Sequence, residues 1–113
     1  MRMYHQIYLD TKNCELEEAG KLDTLIREII TFLTRRTDLK LASMTVVKEQ
    51  MRFLYYLVDK NEYTVEVKTN NPQWPTFIQI SMDLHARELV DIWNGLTDLI
   101  CMWRDKYGIN KGE

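Results

Sequence analysis

The stretch 51–68, MRFLYYLVDKNEYTVEVK, decides the fold, because it holds two alternating runs around a polar break. Tyr63, Val65 and Val67 alternate with Thr64, Glu66 and Lys68, which is the two-residue period of a strand with one buried and one wet face. Before the break, Met51, Phe53, Tyr55 and Leu57 alternate with Arg52, Leu54, Tyr56 and Val58, and both sides of that run are largely apolar. Asp59, Lys60, Asn61 and Glu62 supply the turn. A turn of two or four residues predicts that Val58 pairs with Tyr63, Tyr56 with Val65 and Leu54 with Val67, forming one apolar core face. Met51, Phe53, Tyr55 and Leu57 then stand beside Thr64, Glu66 and Lys68 on the opposite face. A sheet face so built is half apolar and suits a partner.

Upstream, the segment 41–58 admits two readings. Met44 and Val46 show strand alternation, while Val47, Met51, Leu54, Tyr55 and Val58 also fit a helical stripe. The β preference of Val46, Val47, Phe53, Tyr55 and Tyr56 favours strands, with Lys48, Glu49 and Gln50 as a turn or bulge. Further back, Leu22, Leu25, Ile26, Ile29, Ile30 and Leu33 recur at helical spacing and predict an amphipathic helix. Asp10, Thr11 and Asn13 offer caps, Glu15, Glu17 and Glu18 suit the positive end of its dipole, and Arg35 and Arg36 the negative end. The chain from Met3 to Thr11 reads as a first strand, with Tyr4 and Tyr8 sharing a face.

Downstream, Asn70, Asn71, Pro72, Gln73, Trp74 and Pro75 interrupt the sheet, since each proline removes a donor and restrains its predecessor. Strand alternation resumes from Phe77 to Met82. A last helix follows, with Ser81 or Asp83 as cap and Leu89, Ile92, Trp93, Leu96, Leu99, Ile100, Trp103 and Tyr107 as its stripe, ending at Gly108. Gly95 in its middle implies a close approach by a neighbour. The tail Ile109 to Glu113 reads as frayed.

These segments predict one α+β domain over residues 1–113, a two-layer sandwich of order β-α-β-β-β-β-α or β-α-β-β-β-α. Its sheet is mostly antiparallel, with both helices on one face. The 113 residues, 45% hydrophobic and 28% charged, suffice for one modest core. The net charge of −2, from 17 acids against 15 bases, creates no field that would capture polyanions, which makes nucleic acid an unfavoured partner. No apolar run approaches a membrane span, residues 1–10 lack the pattern of a signal peptide, and Cys14 and Cys101 form no metal or redox spacing. A cytoplasmic protein is expected.

Chemistry-bearing motifs are sparse. His5 and His85 fall in no nucleophile pattern, and with glycines only at 20, 95, 108 and 112 no phosphate-cradling loop exists. Asp91, Asp98 and Asp105 recur at seven-residue spacing, which marks a solvated helix face; residues two turns apart lie about 10 Å apart along the axis and cannot share an ion. No catalytic, metal or cofactor-binding residue is assigned. The segment order resembles that of small acidic dimeric chaperones and immunity-type inhibitors.

The expected function is therefore a non-catalytic protein-binding module of adaptor, chaperone or inhibitor type. It would act as a homodimer through Met51, Phe53, Tyr55 and Leu57, with Trp74 as a second contact to another protein. One alternative is a single-stranded nucleic-acid binder that stacks bases on Phe53 and Tyr55. Another is a small enzyme whose site, with His5 or His85 beside an acid or thiol, assembles only in three dimensions.

Overall fold

The computed structural model describes residues 1–10, 19–47, 52–70, 76–107 and 110–111. The order is β1 (Arg2–Asp10), α1 (Ala19–Arg36), β2 (Lys40–Val47), β3 (Arg52–Val58), β4 (Thr64–Thr69), β5 (Phe77–His85), α2 (Ala86–Tyr107) and a two-residue β6 (Asn110–Lys111). The strands form one sheet, β2-β3-β4-β5-β1-β6, in which every pair is antiparallel. This is the expected α+β architecture. The tail differs from the frayed end expected: Asn110 and Lys111 pair with Asp10 and Leu9.

One side of the sheet carries Ile7 and Leu9 from β1, Val65 and Val67 from β4, and Ile78, Ile80, Met82 and Leu84 from β5, all buried. Both helices pack there. α1 buries Leu25, Ile26, Ile29 and Leu33, and α2 buries Leu89, Ile92, Leu96, Ile100 and Trp103, the stripes that the 3.6-residue period marks out. Gly95 lets the helices meet: a Cβ there would lie 2.2 Å from Cζ of Phe32 on α1, so the ring occupies the space a side chain would need.

The hairpin β3–β4 has a register one residue away from the expected one. Leu57 pairs with Val65, Tyr55 with Val67 and Phe53 with Thr69, which puts all three on the helix-facing side. Leu54, Tyr56 and Val58 lie opposite Lys68, Glu66 and Thr64 on the open side instead. The cause is the turn. Asp59 N donates to Tyr63 O at 3.1 Å, and Asp59 Oδ1 accepts from Asn61 N at 2.8 Å and Tyr63 N at 3.0 Å. Lys60, Asn61 and Glu62 thus form a three-residue loop, closed by Glu62 at φ 64°. An odd loop changes the parity of the pairing, and a one-residue slip exchanges the faces of every side chain.

Glu62 adopts this left-handed conformation at a cost of about 1 kcal/mol that glycine does not bear. Its carbonyl accepts from Arg2 Nη2 at 2.6 Å, a bond that a substitution leaves in place. Glu62→Gly is accordingly expected to stabilise the protein by up to about 1 kcal/mol, read as a raised urea midpoint at unchanged slope.

The second correction concerns α2. Ser81 and Asp83 are strand residues, because the core alternation of β5 runs on through Leu84. His85, the last residue of β5, takes the capping role: its Nδ1 accepts from Arg87 N at 3.2 Å.

Candidate functional site

Two surfaces of the sheet are unusual, and both follow from the register. The first is the margin at β2. Leu41 pairs with Leu57, Met44 with Tyr55 and Val46 with Phe53, so these three β2 side chains stand on the helix-facing side. A shift in the pairing between Leu41 and Ser43, with Ala42 as the extra residue, bends the strand at its start. The helices do not reach this far: Leu41 is 41% exposed, Met44 65% and Val46 49%. Between α1 and this margin lies an open groove of 490 Å³, walled by Ile26 and Ile30 on one side and by Leu41, Met44 and Tyr55 on the other. Arg27 and Thr31 line its rim.

Among the described residues β2 is also an outer strand, hydrogen-bonded to a neighbour on one edge only. Alternate backbone N–H and C=O groups of such a strand point outward and can pair with another chain. Lys40 at its start is its only charged residue, and the run Ser43 to Val47 carries neither charge nor proline.

The second surface is the face that the helices leave open. Its central row runs Tyr8, Gln79, Lys68 and Leu54 across four strands. Phe77 lies diagonal to Tyr8, and the two rings are parallel within 8° with centroids 5.9 Å apart. Arg52 and Lys68 complete a shallow hollow of 260 Å³ with Tyr8, Phe77 and Gln79. Nearby, Gln6 donates to Tyr4 Oη and to Ser81 Oγ, Arg2 meets Asp83 at 3.2 Å, and Lys68 approaches Glu66 at 3.6 Å. Sequence reasoning placed Tyr4 and Tyr8 on a common face. It missed the company of Phe77, Arg52 and Lys68, which depends on strand order and on the hairpin register.

The residues expected to bind a partner separate. Leu57 is fully buried and cannot be touched by another molecule. Tyr55 is half-buried, packs on the core and lines the β2 groove, while Phe53 is half-buried opposite Val46. Met51 and Trp74 lie outside the described residues. The open-face platform assigned to Met51, Phe53, Tyr55 and Leu57 is thus corrected for the three described residues, and Phe53 and Tyr55 are equally unable to stack bases there.

His5 packs edge-on against Trp93 of α2, with ring centroids 4.3 Å apart, beside a hollow of 210 Å³ whose other walls are Leu89 and Val90. Asp91, Asp98 and Asp105 are exposed along α2. Cys101 is a free, half-buried thiol, and among the described residues no helix is long and apolar enough to cross a membrane. Compared with family models, with curated proteins and with solved structures, the chain matches none.

Proposed function

We propose that the protein is a non-catalytic protein-binding module of the cytoplasm that works as a homodimer joined through β2. The exposure of Leu41, Met44 and Val46 along what is an outer strand among the described residues carries this reading. Two copies of one strand pair antiparallel about a two-fold axis, so the same edge serves both subunits and the interface closes on itself. Backbone hydrogen bonds would extend the sheet, and the apolar side chains of each copy would cover those of the other on the helix side. Among the described residues, the hollow beside His5 is walled by Leu89, Val90 and Trp93.

Sedimentation velocity tests the proposal. The wild type is expected to run as a dimer at micromolar concentration, and Met44→Lys with Val46→Lys as a monomer with the wild-type circular dichroism spectrum and a melting temperature that no longer depends on protein concentration. Both residues are exposed, so the lysines burden the edge and not the core. A wild type that stays monomeric throughout the micromolar range overturns the proposal, as does a double variant that still dimerises.

A further inference from the structure

We propose that the open face binds a nucleobase bearing a phosphate, through the hollow formed by Tyr8, Phe77, Gln79, Arg52 and Lys68. Tyr8 is 42% exposed and lies parallel to Phe77, so the pair offers a flat apolar surface to a planar ligand. Stacking on such a surface tolerates any base, because every base has a π-face.

Charge then selects what the plane must carry. Arg2 is engaged by Asp83, and Lys68 is shared loosely with Glu66 at 3.6 Å. Arg52 is exposed and forms no ion pair or hydrogen bond among the described residues. An arginine fork so placed donates two N–H bonds to a phosphate in bidentate fashion, and Lys68 adds a second positive point. Gln79 stands between the rings and Lys68 in the central row with one acceptor and two donors, a set that can meet a base edge.

Size narrows the choice further. At 260 Å³ the hollow is below the roughly 300 Å³ at which drug-sized pockets begin, so one ring and one anion fill it. A free mononucleotide and one residue of a single strand present this same chemistry. The β2 edge takes no part, so the inference stands apart from the dimer proposal.

The test titrates the full-length protein with adenosine and uridine monophosphates, with their phosphate-free nucleosides, and with a fluorescent single-stranded decamer of DNA and of RNA. Binding is expected to require the phosphate, and that of the decamers to weaken roughly two- to three-fold between about 50 and 200 mM salt, as neutralising one phosphate of a single strand dictates. Tyr8→Ser is expected to weaken it by roughly ten-fold or more. Arg52→Ser should flatten the salt dependence, while Arg52→Lys retains part of the affinity. Tyr8 and Arg52 are exposed, and an unchanged thermal melt verifies the fold of each variant. A decamer that binds far more tightly than the mononucleotides assigns the site to a strand, and equal affinities assign it to free nucleotides. Absence of binding to either at millimolar concentration overturns the inference, and so does binding that both serine variants leave intact.

Discussion

Leu57→Asp is expected to abolish cooperative folding, whereas Leu54→Asp, three residues away in the same strand, leaves the protein folded. Leu57 is 0% exposed between Leu41 and Val65 on the helix side. Truncating such a leucine to alanine already costs about 2–5 kcal/mol, and a carboxylate without a partner adds several more. The sum reaches the ~5–15 kcal/mol that holds a domain together. Leu54 is half-buried on the open face, across from Lys68. An aspartate there meets a cation, so the loss is confined to lower strand preference and lost packing, together about 1–2 kcal/mol. Urea titrations followed by circular dichroism would read both. In the alternative register, with Leu54 inside and Leu57 outside, the two outcomes would exchange, which makes the pair a direct measurement of the hairpin.

That hairpin also marks the boundary of what could be read from the residues. The stripes of α1 and α2 repeat over several turns, and the alternation of β4 is clean, so local chemistry alone identifies each element and its buried side. β3 is apolar on both sides. For such a strand the turn decides which side goes in, and the usual sign of a three-residue loop, a glycine in the left-handed position, is replaced here by Glu62. Asp59 holds the loop through its carboxylate instead, and nothing in the order Asp59, Lys60, Asn61, Glu62 distinguishes three loop residues from four. The end of β5 misleads in a similar way. Ser81 and Asp83 have cap chemistry, but Met82 and Leu84 continue the core alternation, and burial of those two side chains outweighs a cap worth about 1 kcal/mol.

The candidate site was less legible for a related reason. Exposure of Leu41, Met44 and Val46 is a property of strand order, because only a strand at the end of the sheet lies beyond the reach of α1 and α2. The same residues in a central strand would be core. The open-face hollow likewise draws on β1, β3, β4 and β5, whose adjacency no local pattern encodes. Tyr55 lines the groove beside β2, on the side of the sheet opposite to the one expected for it.

Trp103→Ala is expected to cost about 3–5 kcal/mol, the range for removing a large buried aromatic. Trp103 is 4% exposed, and its Nε1 donates to Glu28 Oε2 at 2.7 Å, which ties α2 to α1 by a hydrogen bond to a carboxylate. Such a bond contributes about 1.5–3 kcal/mol, so Glu28→Ala should be costly although Glu28 is only half-buried. Trp103→Phe removes the same bond while keeping most of the ring. Combined with Glu28→Ala, it should therefore cost less than the two single losses added together. Denaturant titrations of the four proteins measure that coupling, and strict additivity would show that the bond contributes nothing. The consequence extends to the groove. Ile26 and Ile30, its α1 wall, flank Glu28 on the same helix, so the anchor that sets the position of α1 against α2 also sets the width of the opening beside β2. Glu28→Ala is accordingly expected to weaken dimerisation several-fold under conditions where the protein stays folded, although Glu28 does not line that groove. Dimerisation unchanged from wild type would show that the backbone edge of β2 dominates association and that the groove adds little.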